Sequence, residues 1–141
     1  MIFKGDVKMF EIHGWITIRE TYEVKENEEE NMDIILHKIE KKIQALSWNK
    51  PELKVRNGEW YIEMSLFSNR KTDEIDELLD FFNFIAKIAC GSYGIIYILD
   101  DEDINGKSNE FQVYSISRGA LHEQKDVFLS PFIPVVEDAD I

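Results

Sequence analysis

Residues 53–67 read LKVRNGEWYIEMSLF. Asn57-Gly58 at their centre is the strongest two-residue hairpin signal, because a type I′ turn needs positive φ at both positions. Leu53 to Arg56 is then a short strand and Glu59 to Phe67 its return, with Trp60, Ile62, Met64 and Leu66 on one face.

Upstream of this hairpin the period changes. Met32, Ile35, Leu36, Ile39, Ile43 and Leu46 recur at three and four, which is one helical face across Asn27 to Leu46. Asn27 followed by Glu30 resembles a capping box, and Lys41 and Lys42 suit the far end of the helix dipole. Earlier still, Met9 to Tyr22 alternates: Phe10, Ile12, Ile16, Ile18 and Tyr22 face one way, and Glu11, His13, Trp15, Thr17, Arg19 and Thr21 the other. Gly14 in this strand signals a bulge or a close backbone approach.

Downstream, Thr72 is an N-cap for a helix running to about Cys90, with Ile75, Leu78, Leu79, Phe82, Ile85, Ala86 and Ala89 on its buried face and Gly91 as its stop. Tyr93 to Leu99 is a nearly continuous apolar run, which predicts a central strand buried on both faces. Asp100 to Asn109 is a polar loop, and Phe111 to Ser117 alternates as a fifth strand. The sequence therefore predicts one α+β domain over residues 1–141, with residues 1–8 as an N-terminal extension and 119–141 as an irregular packed tail. Its formula is βαββαββ, a ferredoxin-like split βαβ arrangement with an extra C-terminal strand. Right-handed crossovers give the strand order 5-4-1-3-2 with both helices on one face. A larger α+β sheet with the same elements in another order is the alternative.

Charge narrows the function. Sixteen Lys+Arg against 28 Asp+Glu leave −12, with a pI near 4.6. Affinity for nucleic acid rests on neutralising phosphates, and anionic membranes likewise select basic proteins, so neither partner is expected. A basic protein partner suits this charge; so does a role in solubility alone. The acids are unevenly placed. Residues 71–110 carry a net −7 and residues 37–70 a net +3. Asp100-Asp101-Glu102-Asp103 places four carboxylates side by side. The single cysteine, the absence of a signal-peptide run and the absence of a transmembrane-length segment predict a reducing, cytoplasmic setting.

Catalytic signals are sparse. His13, His37 and His122 stand in no metal or base motif, Cys90 lies at the wrong end of a helix for an activated thiolate, and no glycine-rich loop leads a strand into a helix. Asp101, Asp103, Asn105 and Gly106 match the first half of a calcium loop, but the closing position is Gln112, which offers no bidentate carboxylate. No catalytic residue, cofactor or metal is expected.

Several stretches together are similar to the immunity protein 7 family: FEIHGWITIRE at the first strand, GEWY after the turn, GSYGIIYILDDED at the fourth strand, NEFQVYSISRG at the fifth and FLSPFIPVVED in the tail. Members are bacterial proteins encoded beside polymorphic toxins, which they neutralise. The resemblance spans Met9 to Asp138 and implies a non-enzymatic inhibitor with a toxin domain as partner. A basic nuclease toxin would match the acidic charge, since complementary potentials speed association. The residues expected to meet such a partner are Trp15, Glu28, Glu29, Glu30, Asp100, Asp101, Glu102 and Asp103. Trp15, Trp60 and Tyr93 each have two readings, core or interface; Trp15 is the one expected at the surface, because it shares its strand face with His13, Thr17 and Arg19. A small-molecule-binding α+β domain or an enzyme is the alternative function, and it would need a pocket with paired, perturbed titratable groups.

Overall fold

The computed structural model describes residues 10–21, 28–47, 50–68, 74–100 and 110–130. Eight elements follow one another: β1 (Phe10–Ile18), α1 (Glu28–Ala45), β2 (Glu52–Arg56), β3 (Glu59–Ser68), α2 (Glu74–Ile88), β4 (Tyr93–Asp100), β5 (Gln112–Ser117) and β6 (Ala120–Lys125). The strands form one six-stranded sheet in the order β2-β3-β1-β4-β5-β6. Every pairing is antiparallel.

The β2–β3 turn forms as expected, with Asn57 at φ 52° and Gly58 at φ 76°. The five-strand βαββαββ formula is corrected, because the sheet order has a sixth member. Residues 120–125, expected in an irregular tail, form the edge strand β6. A second two-residue turn with positive φ at both positions, Arg118 (54°) and Gly119 (73°), folds it onto β5. Arginine is a poor marker of such a turn, and ALHEQK lacks the β-branched alternation that announces a strand. An edge strand needs little of that alternation, since half its backbone groups face solvent and charged residues protect it.

β1 ends at Ile18, short of the expected Tyr22. Beyond it the backbone leaves the ladder for the α2–β4 turn: Arg19 N donates to Ser92 Oγ at 3.1 Å, and Gly91 N donates to the Arg19 and Glu20 carbonyls. Gly14 marks a close approach rather than a bulge. The register of β1 runs unbroken against both neighbours, and a β-carbon at Gly14 would lie 2.5 Å from the Ile95 carbonyl oxygen. Met1 to Lys8, Asn27, Thr72, Asp101 to Asn109 and residues 131–141 lie outside the described residues.

Both helices pack on one face of the sheet. Phe10, Ile12, Ile16 and Ile18 of β1, Ile62 and Met64 of β3, and Ile96 and Ile98 of β4 point into a single core with Ile35, Ile39 and Ile43 of α1 and Leu78, Phe81, Phe82 and Ile85 of α2. Burying a side chain of this size contributes roughly 1.5–3 kcal/mol. Phe81, adjacent to Phe82, joins the core although it was not among the expected buried residues. The two helices are also tied at one end, where Glu77 accepts from the Ser47 backbone N–H at 2.8 Å.

Candidate functional site

Strand alternation puts every second side chain on the far face of the sheet. Among the described residues, no helix covers that face. Glu11, His13, Trp15 and Thr17 stand on it from β1, and their registered neighbours include Tyr61, Glu63, Ser65 and Phe67 of β3 and Tyr93, Ile95, Tyr97 and Leu99 of β4. The face is therefore rich in aromatic rings, and they touch edge to face. Trp15 meets Tyr93 with centroids 6.0 Å apart, His13 meets Phe67 at 5.4 Å, and Tyr97 meets Phe111 at 5.8 Å. Trp15 is 44% exposed, and Phe67 and Tyr93 are similarly open to solvent.

The middle of this face is concave. An open recess of about 560 Å³ is lined by His13, Trp15, Arg56, Tyr61, Glu63 and Tyr97, among others. Its walls are held in place. His13 Nε2 lies 2.9 Å from a Glu11 carboxylate oxygen and its Nδ1 3.1 Å from Ser65 Oγ. The Arg56 guanidinium lies over the Tyr61 ring, 5.5 Å from its centroid. The Tyr61 hydroxyl is buried and finds no hydrogen-bond partner among the described residues. Rings fixed by a sheet and by each other lose little freedom when a partner covers them.

Those residues singled out from sequence that the structure describes do not converge. Trp15 sits on the open face. Glu28, Glu29 and Glu30 begin α1, in the helical layer on the other side of the sheet. Asn31, one residue on, donates to Glu20 Oε1 at 3.2 Å, so this turn adjoins the chain leaving β1. Asp100 is registered with Phe10 at the opposite end of β1. Nine strand residues separate these ends by roughly 25–30 Å. Asp101, Glu102 and Asp103 are outside the described residues.

Sequence reasoning missed Tyr61, Phe67, Tyr97 and Phe111 as members of one surface. The signal was present in β3, where Tyr61 and Phe67 alternate against Trp60 and Leu66. In β4 the expected burial on both faces is corrected: Ile96 and Ile98 are buried in the core, whereas Tyr93 is exposed and Ile95, Tyr97 and Leu99 are only partly covered, a difference that an unbroken apolar run does not mark. Of the other two aromatics with two readings, Trp60 packs partly buried against the core and Tyr93 is exposed.

Among the described residues two titratable groups, Lys54 and Asp126, are displaced, and neither lines this recess. Lys54 is raised by the Glu63 and Glu52 carboxylates, each 3.5 Å away on the exposed surface. Burial pushes the Asp126 carboxyl up, but hydrogen bonds from Phe128, Ser130 and Leu129 outweigh it and hold the group below the ordinary aspartate value. Among the described residues, no three His, Cys, Asp or Glu side chains are grouped to hold a metal ion, and no helix is long and apolar enough to cross a membrane. The arrangement is one of aromatic rings in mutual contact around an open recess.

The sequence matches the family model described as immunity protein 7 over residues 9–138. No curated protein and no solved structure matches it.

Proposed function

Because the chain belongs to the immunity protein 7 family, we propose that it neutralises a cognate bacterial toxin domain by direct binding, without catalysis, and that the open aromatic face is its contact surface. The observation that carries this reading is the exposure of Trp15, Tyr93 and Phe67 on a sheet face that no helix among the described residues covers. Aromatic side chains in fixed positions are the usual energetic centres of protein interfaces. The net charge of −12 favours a basic partner, such as a nuclease toxin acting in the cytoplasm, and it would speed encounter more than it would tighten the complex.

The test is expression of the toxin domain encoded beside this gene, alone and with this chain. Growth arrest relieved by co-expression, with a stable complex of the purified proteins, is the expected result. A toxin that stays active in the presence of excess chain, with no complex detectable at micromolar concentration, would refute the reading.

A further inference from the structure

Immediately after β6 the chain presents three apolar side chains in series to solvent. Val127 is 75% exposed, Phe128 78% and Leu129 48%. Single exposed apolar residues are ordinary, but three in a row on a rigid support are not. The support here is Asp126, itself only 3% exposed. Its carboxylate accepts from Phe128 N at 2.9 Å, from Ser130 N at 3.0 Å and from Ser130 Oγ at 2.8 Å, with Leu129 N at 3.3 Å. An Asp that collects successive backbone N–H groups fixes the turn that follows it. The apolar side chains are thus held outward on an ordered backbone.

The same turn is joined to the aromatic face. Ser130 Oγ, while donating to Asp126, accepts from Phe111 N at 2.8 Å. The Phe111 ring in turn meets Tyr97 and His13, at 5.8 and 6.5 Å between centroids. One chain of contacts therefore runs from the protruding turn to the centre of the open face.

We propose that Val127, Phe128 and Leu129 form a preorganised apolar anchor that enters a matching apolar recess on the toxin domain, as an extension of the aromatic face. This rests on the toxin-binding reading above. A second copy of the chain is the less fitting occupant, because two chains that each carry a net −12 repel one another. One aromatic side chain buries about 150–250 Å², so three residues fall far short of the roughly 1,200–2,000 Å² of a stable interface. They suit one hot spot within a larger surface, and the contacts through Phe111 supply that surface. Preorganisation lowers the ordering cost of binding, and the cost is lowest where Asp126 already holds the backbone.

The experiment measures the affinity of the full chain for the toxin domain encoded beside it, by calorimetry, for wild type, Phe128→Ala, Leu129→Ala and Trp15→Ala. Phe128→Ala should weaken binding by about 30-fold or more, as a hot-spot truncation does, with an unchanged melting temperature because the ring is exposed. If Phe128→Ala and Leu129→Ala bind like wild type while Trp15→Ala is weakened, the anchor is refuted and the aromatic face stands. If wild type binds no toxin domain, both readings fall together. Sedimentation that shows a concentration-dependent dimer lost in Phe128→Ala, with toxin affinity intact, would assign the anchor to self-association instead and overturn the proposal. Asp126→Ala tests the preorganisation itself: hydrogen exchange at the Phe128, Leu129 and Ser130 amides should accelerate and toxin affinity should fall. An affinity that holds while those amides lose protection would overturn the preformed anchor.

Discussion

Gly94 of β4 abuts the backbone carbonyl of Trp15 in β1, so closely that a β-carbon at position 94 would overlap that oxygen. Gly14, paired with Ile96 in the same ladder, meets the Ile95 carbonyl in the same way. The two glycines let β1 and β4 close on each other where Trp15 is presented. Gly94→Ala should therefore destabilise the fold by roughly 3 kcal/mol, at the upper end of overpacking, because the obstacle is backbone that cannot rotate away. A urea denaturation midpoint indistinguishable from wild type would show that the strands have slack.

Trp15 leans edge-on against Tyr93 at 88° between ring planes and exposes nearly half its surface. Trp15→Ala should cost about 1 kcal/mol of stability or less, since one aromatic pair is worth roughly 0.5–1.5 kcal/mol. Toxin affinity should fall far more, by about 30-fold, the scale of a hot-spot truncation. Thermal unfolding beside a binding titration separates the two effects. A loss of stability as large as the loss of affinity would make Trp15 a structural residue.

Asp126 gives stability a pH dependence of known sign. Its folded pKa lies below its ordinary value because donated hydrogen bonds outweigh burial. The charged form is thus favoured by folding. The stabilisation is fully present above the unfolded value of about 3.9 and is lost as pH falls through the lower folded pKa. Asp126→Ala should cost about 1–2 kcal/mol at pH 7, in the range of a lost cap. The gap between wild type and variant should narrow below about pH 4. Unfolding curves at pH 7, 5 and 3 check this, and a gap constant across them would mean the carboxylate charge plays no part.

Glu77, in the first turn of α2, accepts from the backbone N–H and hydroxyl of Ser47 just past α1. Glu77→Ala should lower stability by about 1 kcal/mol, and Glu77→Ala with Ser47→Ala by less than the sum, since the hydroxyl bond is shared. A double-mutant cycle measured by denaturation reads that coupling. Strict additivity would leave only the backbone bond.

Acidic charge should act on encounter. Replacing Asp100, Asp101, Glu102 and Asp103 by Asn or Gln should slow toxin association by about tenfold at low salt. Near 1 M salt, where the Debye length is about 3 Å, the difference should nearly vanish. The same treatment of Glu28, Glu29 and Glu30 tests the other end of β1 separately. Stopped-flow association across an ionic-strength series discriminates them; rates indifferent to salt and to both sets would leave the charge to solubility.

Local chemistry was legible where one residue pair decides a backbone path. Asn57-Gly58 announced the β2–β3 turn because positive φ at both positions is nearly unavailable to other pairs, and periods of two and three to four located β1, α1 and α2. Arg118-Gly119 makes a turn with positive φ at both positions without advertising it, so nothing in the local sequence marks β6 as a strand. The candidate site was less legible. Trp15 stood out because polar residues shared its strand face, whereas Tyr97 and Phe111 were hidden in apolar stretches that are compatible with burial on either side.

The α+β class, the helices and the Asn57-Gly58 hairpin follow from patterns among neighbours along the chain, and the acidic charge from composition. Only folding brings Trp15, Tyr61, Phe67, Tyr93, Tyr97 and Phe111 to one sheet face that no described helix covers, sets Glu30 and Asp100 near opposite ends of β1, and lets Asp126 turn Val127, Phe128 and Leu129 outward. Strand order and helix placement bring together residues tens of positions apart, such as Trp15 and Tyr93. An apolar side chain carries no mark of whether a helix will cover it.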